Sequence, residues 1–365
     1  MKKILTVLLV LTFVLSSFAF KATMITDVGG LGDKSFNDGT WAGVVRAREE
    51  LGIDIEIIIS TEQTDYVANL QRAAQNSDVV LAVGFLMADA LFNVAPQFPN
   101  VRFIGIDIGP SEGQTVPTNI ALYLFKEQEA TFFTGYLAAA TTRTEKVGYV
   151  GGMEIPPVIR LEMGYRAGVA AYNQIHNTNV QVLRSYAGAF DNPATGKRMA
   201  EAQFNQGADI IFHAAGATGN GVIDAAREKG ASFYGLSQNA PLTAIIEAFY
   251  KNDAGFFAIG VDVDQDYMAP GYVLTSGMKR VDEAAFRGIS TARRARGFET
   301  GVNILDLAQQ GVGMSPMMYT KGLVPNRVFA EMEYLEKLIV EGKLVIPENA
   351  TQLGTFNVSG IVFPF

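Results

Sequence analysis

The chain alternates short, β-rich apolar runs with longer stretches in which apolar positions recur at helical spacing. The run Val79-Val80-Leu81-Ala82-Val83 is the plainest of the first kind. A strand with one wet face alternates apolar and polar residues, so an unbroken run marks a strand covered by helices on both faces. The pattern predicts strands at 23–28, 54–60, 79–83, 101–107, 146–151, 180–186, 209–212, 256–262 and 272–276. Helices are predicted at 38–51, 65–75, 87–95, 127–141, 159–174, 193–205, 221–229, 281–295 and 327–341. Strand and helix in alternation are the signature of parallel βαβ units. A coarser echo runs through 22–123 and again through 146–262, in which a strand ends in a Gly-rich or acidic turn and a helix follows. The expected fold class is therefore α/β, with two lobes that are each a doubly wound parallel sheet. A length of 365 residues also favours two compact cores. No low-complexity linker separates the halves, so short crossing strands are expected to join them. The expected division puts a first lobe at 20–123 plus about 278–320 and a second at 124–277 plus about 321–365.

Residues 1–19 read as an address. Met1-Lys2-Lys3 is a positive start, residues 4–15 are apolar, and Ser17-Phe18-Ala19 supplies the small residues that a signal peptidase reads. The apolar run is too short for a membrane span of about 20 residues. Cleavage after Ala19 is expected, giving a periplasmic or otherwise extracytoplasmic protein. The sequence contains no Cys, so an acyl anchor at a cleavage-site cysteine is not expected. The absence of Cys also removes disulfide scaffolds, thiol nucleophiles and zinc fingers, and two His residues are too few for a His-rich metal site. No metal or cofactor is expected. With 29 Lys+Arg against 37 Asp+Glu the net charge is −8, which argues against a nucleic-acid partner that must be held by phosphate neutralisation.

In doubly wound sheets ligands sit beyond the carboxyl ends of the strands. The first strand reaches Asp27, and the loop Val28-Gly29-Gly30-Leu31-Gly32-Asp33-Lys34-Ser35-Phe36-Asn37 follows. A phosphate loop would need Gly before the Lys, and Asp33 stands there instead, so nucleoside triphosphates are not expected. Phe36 is either a lid over the core or a ring that stacks on a planar ligand, and Asn37 either caps the helix or reads a ligand edge. Asp107 ends the fourth strand, as a cap, a turn residue or a contact. In the second half, His213 precedes a loop with the order G-x-x-G-x-G, the reverse of the dinucleotide fingerprint, which can still offer backbone N–H groups near Gly216. His213 itself is either a buried imidazole or a contact. Asp262 ends a strand and Lys279 follows the next one; together they suit a pair of vicinal hydroxyls, or simply hold a crossover in place. Asp262 and Asp264 lack the further ligands and the Gly of a calcium loop.

These segments carry a resemblance. Asp27-Val-Gly-Gly-Leu-Gly-Asp-Lys-Ser-Phe-Asn37, Gly135-Tyr-Leu-Ala-Ala139, Val150-Gly-Gly152, Phe190-Asp191, Gly207-Ala-Asp-Ile-Ile-Phe212, Ala214-Ala-Gly-Ala-Thr-Gly219, Gly260-Val-Asp-Val-Asp-Gln265 and Lys279-Arg-Val-Asp282 occur in this order. Together they resemble the BMP family, substrate-binding components of ABC transporters that include bacterial purine nucleoside receptors. The resemblance implies a type I periplasmic-binding-protein fold and a purine nucleoside held between two closing lobes. It implies that Phe36 and Phe190 sandwich the base, with Asn37 and Asp107 at its polar edge. Asp262 and Lys279, with backbone near Gly216, would take the ribose, and Asp27 would add to an acidic cleft. An ABC permease would be the partner of a monomeric protein. Two departures stand out: many relatives are lipoproteins, and the stretch 231–255, with an extra helix at 241–251, is longer than usual for the family. It would decorate the rim of the second lobe or reshape the site. A second reading is an exported nucleoside or glycoside hydrolase using carboxylates among Asp27, Asp107 and Asp262. A third is a ligand sensor of the same fold.

Overall fold

A computed structural model describes residues 20–294 and 296–365. The signal-peptide reading of 1–19 lies outside the described residues. The first lobe opens with β1 (Lys21–Ile25), α1 (Phe36–Leu51), β2 (Asp54–Ile58), α2 (Tyr66–Asn76), β3 (Val79–Val83), α3 (Ala88–Val94), β4 (Arg102–Ile106) and β5 (Ile120–Phe125). The second follows with α4 (Glu127–Thr141), β6 (Lys146–Gly151), α5 (Pro156–His176), β7 (Gln181–Tyr186), α6 (Pro193–Asn205), β8 (Ile210–Ala214), α7 (Ala217–Tyr234), α8 (Leu242–Asn252), β9 (Phe257–Asp262) and β10 (Val273–Lys279). The chain ends with α9 (Val281–Arg293), β11 (Gly301–Leu305), β12 (Val312–Met314), α10 (Asn326–Val340) and α11 (Ala350–Gly354). Two six-stranded sheets result, in the orders β11-β5-β4-β3-β1-β2 and β12-β10-β9-β8-β6-β7. Neighbours pair in parallel except β12, which runs antiparallel to β10 with Gly277 opposite Met314.

Burial explains the unbroken apolar strands. In the first sheet Leu81, Val83, Ile104 and Ile106 pack with Val44 and Ala47 of α1 and Ala284 and Ile289 of α9. Val80, Ala82, Phe103 and Leu122 pack on the other face with Leu70 of α2 and Leu91 and Val94 of α3. The second sheet repeats the arrangement. Tyr149, Phe212 and Val261 join the cluster that holds Phe132 and Leu137 of α4 and Leu161 and Tyr165 of α5. Ile211, Ala258 and Val273 meet Phe204 of α6 and Val222 and Ala226 of α7. This is the α/β, doubly wound, two-lobed class expected from the sequence.

The chain passes between the sheets three times: from β5 to α4, from β10 to α9, and between Leu305 and Val312. The last passage corrects the expected division, which kept the whole of 278–320 in the first lobe. Met314 and its neighbours complete the edge of the second sheet, so the chain has already crossed by residue 312. The strands β5, β11 and β12 were not predicted. β5 runs into α4 with only Lys126 between them, so its apolar residues merge with the helix pattern, and β11 and β12 have five and three residues. Crossing segments are tied to each other: Lys126 donates its backbone N–H to Leu305 O at 3.0 Å, and its ammonium lies 3.4 Å from Asp306. Among the described residues, no helix is long and apolar enough to cross a membrane.

Candidate functional site

The carboxyl ends of the two sheets face each other across a cleft of about 590 Å³, partly open to solvent. Asp27, Phe36, Asn37, Asp107, Phe190, Gly216, Asp262 and Lys279, the eight residues singled out in the sequence, all line it. His213 does not. It is fully buried in β8 beneath α7, where a Cβ on Gly219 would lie 1.9 Å from its Nδ1.

The wall contributed by the first lobe is a hydrogen-bonded network. Asp33 accepts from the backbone N–H groups of Ser35, Asn37 and Asp38 at 3.0, 2.8 and 3.1 Å, so it fills the capping role for α1 that was one reading of Asn37. Burial pushes its carboxyl up to about 6 against the pull of those donors. Freed from capping, Asn37 turns its amide to Asp27 Oδ1 at 2.8 Å and Asp33 Oδ2 at 3.2 Å. Its own Oδ1 is buried with no partner. Asp27 also accepts from the N–H of Gly29 at 2.9 Å, and burial raises its carboxyl above the usual range despite both bonds. Gly29 is needed for a close approach: a Cβ there would stand 3.0 Å from Asp27 Oδ1 and 3.8 Å from the Cβ of Phe190 on the opposite lobe.

Asp107 and Asp262 occupy equivalent places, one at the end of β4 and one at the end of β9. Both have left-handed backbones, with φ of 59° and 65°. Such a conformation costs a residue with a Cβ of order 1–3 kcal/mol and is most often retained at functional sites, where it redirects a side chain. Here the two carboxylates meet at Lys279, which is almost fully buried. Its ammonium donates to Asp107 Oδ2, lies 3.8 Å from Asp262 Oδ1, and stands 5.0 Å over the ring of Phe36. Burial alone lowers an ammonium, but Asp107, Asp262 and Glu127 outweigh it and hold Lys279 charged. Burial raises the Asp262 carboxyl, offset by Lys279 and by Ser35, whose hydroxyl donates to Asp262 Oδ2 at 2.6 Å. Asp107 Oδ1 is buried without a partner.

On the second lobe, Phe190 O accepts from the N–H of Thr218 at 2.9 Å, which fastens the aromatic loop to the first turn of α7. Gly216 precedes that turn with φ of 53°, and a Cβ there would stand 3.4 Å from Phe190 O. Phe36 and Phe190 are both half-buried, one on each lobe.

Sequence reasoning missed several parts of this site. Ser35 and Gln265 link the lobes directly, Gln265 Nε2 donating to Lys34 O at 2.9 Å. Phe85 and Leu86 after β3, and Pro157, Val158 and Leu161 of α5, supply the apolar lining. The carboxyl-end rule already pointed to the turns after β3 and β6. No residue of the described stretch 231–255 lines the cleft; α8 instead buries Ile245 and Phe249 in the second lobe.

Two doubly wound lobes with a lined cleft between them define the periplasmic-binding-protein fold, a class of proteins that enclose small solutes. The chain belongs to the Bmp family, ABC transporter substrate-binding proteins described as PnrA-like, whose model matches residues 20–350. It is 32% identical over 349 residues to the CD4+ T-cell-stimulating antigen of Listeria monocytogenes, covering 91% of this chain and 89% of that one. It is 31% identical to an uncharacterized lipoprotein of Pyrococcus furiosus, covering 80% of this chain and 69% of the relative. Among solved structures, ABC transporter solute-binding proteins from Aeropyrum pernix superpose with a TM-score of 0.77 at 29% identity, covering 92% of this chain and 96% of theirs. A family of binding proteins does not favour the hydrolase reading. The Pyrococcus relative is named a lipoprotein, which runs against the expectation of an unanchored protein in part, although the present sequence holds no Cys to acylate.

Proposed function

We propose that this protein captures a purine nucleoside between its lobes outside the cytoplasm and delivers it to the permease of an ABC importer. The observation that carries this reading is the convergence, in one cleft, of an aromatic ring from each lobe with the Asp107–Lys279–Asp262 cluster. Phe36 and Phe190 offer faces to a base, and base–aromatic stacking contributes about 1–3 kcal/mol per base. The unpartnered Asn37 Oδ1 and Asp107 Oδ1 call for a ligand that brings donors, since a buried acceptor left unmet costs about 1–3 kcal/mol. Asp262 and Lys279 suit the ribose diol, the carboxylate accepting and the ammonium donating. A 5′-phosphate would enter against Asp27, Asp107 and Asp262 with one buried cation already engaged. The chain acts as a monomer in this scheme.

Calorimetric titration of guanosine, deoxyguanosine, guanine and guanosine monophosphate tests the proposal. The expected order of affinity is nucleoside, deoxynucleoside, base, nucleotide, with at least about tenfold between the first and the free base. Equal or tighter binding of the monophosphate overturns the nucleoside assignment.

A further inference from the structure

We propose that Ser35 is a positioning residue of the cleft: from the first lobe its hydroxyl holds one oxygen of Asp262 on the second, so that the other oxygen is left to the ligand and the diol clamp is complete only with the lobes together. The choice of probe, though not the bond itself, rests on the nucleoside reading.

Ser35 directly precedes α1, a place where a serine oxygen ordinarily accepts from a backbone N–H two or three residues on. It makes no such bond here, because the N–H groups of Asn37 and Asp38 both go to the Asp33 carboxylate. The hydroxyl is thereby released from capping, and since the residue is fully buried it must find a partner elsewhere. It donates to Asp262 Oδ2 at 2.6 Å, with Val261 O 3.3 Å away. Asp262 lines the cleft and Ser35 does not, so Ser35 can act on a ligand only through the carboxylate it holds.

A second bond runs beside the first. Gln265, also fully buried, donates from Nε2 to Lys34 O at 2.9 Å and accepts from the N–H of Val261 through Oε1 at 2.9 Å. Two consecutive residues of the first lobe are thus each tied to the turn after β9. Lys34 has a left-handed backbone, with φ of 55°, a conformation retained where the surrounding structure requires it. The walls also pack closely: a Cβ on Gly39, at the end of the first turn of α1, would stand 2.8 Å from Val263 Cγ1. Bonds that span the gap exist only while the two walls are in contact there. Asp262 then has Oδ2 committed to the first lobe, and Oδ1, 3.8 Å from the Lys279 ammonium, is the oxygen left for a hydroxyl. A side chain already fixed in its binding orientation reduces the ordering that the ligand must impose.

The test titrates the mature chain with guanosine and deoxyguanosine. Ser35→Ala is expected to weaken guanosine binding by about tenfold or more and deoxyguanosine by less, so that the two affinities draw together. Ser35→Thr keeps the hydroxyl and is expected to restore part of the difference. Gln265→Met removes the neighbouring bond without touching Asp262 and is expected to weaken both ligands alike. Equal losses for the two ligands in Ser35→Ala, or no loss, overturn the proposal, since a serine with a structural role alone leaves their ratio unmoved. Stopped-flow kinetics are expected to place the guanosine loss in faster dissociation, because the bond forms as the walls meet; a loss confined to association overturns the link to closure. A Ser35→Ala chain that fails to fold is replaced by Ser35→Gly, which a helix start tolerates well, under the same outcomes. If the natural chain binds no nucleoside, the functional reading fails and the bond is decided without ligand. A double-mutant cycle of Ser35→Ala and Asp262→Ala, read from urea unfolding, is expected to be non-additive, and additive losses reject the coupling.

Discussion

The two lobes have the same six-stranded architecture but face the cleft with different chemistry. The first presents a network of carboxylates and one amide, cross-braced to the start of α1 by Asp33. The second presents Phe190 on a loop, an apolar helix start at Pro157, Val158 and Leu161, the Asp262 carboxylate and, alone among the described residues that line the cleft, a cation, Lys279. Their unmet polar atoms differ in the same way. Those of the first lobe include Asn37 Oδ1 and Asp107 Oδ1, both in the cleft wall, whereas those of the second include the His213 ring nitrogens and the hydroxyls of Tyr165 and Tyr272, away from it. A buried acceptor is costly wherever it is, but only in the cleft can a ligand relieve it. In the proposed reading each lobe offers one ring, the free acceptors of the first lobe meet a ligand's donors, and the second lobe returns the cation across the gap to Asp107.

The largest test of that division is the cation itself. Lys279 belongs to β10 of the second sheet, yet its bond is to Asp107 of the first. Lys279→Met leaves Asp107 and Asp262 without their shared counter-charge, and breaking a buried ion pair on one side costs about 3–5 kcal/mol. A loss of that size in urea unfolding at pH 7 is expected, with guanosine affinity lowered by more than about a hundredfold. Affinity kept within tenfold would mean that the first lobe reads the ligand alone.

His213 probes the other half of the comparison, since its unmet nitrogens lie where no ligand relieves them. Burial pulls its pKa down to about 4 from 6.5. The unfolded chain therefore binds more protons between those values, so stability is fully present above about pH 6.5 and falls as the pH drops toward 4. The shift corresponds to about 3 kcal/mol. The raised carboxyls of Asp27, Asp33, Glu127, Asp262 and Asp266 act oppositely, gaining stability on acidification, so the natural chain must be compared with His213→Gln. Between pH 7.5 and 5, chemical denaturation is expected to show acidification favouring the variant over the natural chain, whichever way the net stability of each moves. Equal changes in the two chains would place the titrating group elsewhere.

The difference between the lobes was only partly legible in the sequence. The strands β3 and β6 agree with the predicted 79–83 and 146–151 because double-sided burial writes itself as an apolar run or a Gly-rich end. The third crossing was not legible, because β12 is fixed by an antiparallel pairing with β10, a contact between distant segments that leaves no local period. In the site, strand-end carboxylates could be found by rule. What could not be found was which residue caps α1. Asp33 and Asn37 are both good cap formers, and only the backbone of the loop, with Lys34 at φ of 55°, decides that Asp33 turns back onto the helix. Ser35 and Asp262 stand 227 residues apart and meet across the cleft, a pairing that no motif encodes.

The smallest expected effect is the sharpest test, because it separates two residues of the same type. Phe36 sits on the first turn of α1 with Lys279 over its ring, and Phe190 sits on a loop held by Thr218. If both are platforms for a base, Phe36→Ala and Phe190→Ala each lower guanosine affinity by about 1–3 kcal/mol. Neither is deeply buried, so neither variant should show the loss of about 3–5 kcal/mol that a core Phe→Ala produces. The two should nevertheless differ with the ligand. Phe36 also faces the ammonium that is assigned to the ribose, so its removal is expected to alter the ratio of guanosine to deoxyguanosine affinity, whereas Phe190→Ala lowers both alike. The expectation follows from position: Phe36 shares the Lys279 ammonium with Asp107 and Asp262, and Phe190 packs on Gly152 and Gly216, which carry no charge. Titration of both ligands against both variants, with ligand-free melting curves alongside, measures all of these terms. A Phe36→Ala chain that melts several degrees early without ligand would return that ring to the core, and identical ligand ratios in the two variants would remove the distinction between the ring beside the cation and the ring away from it.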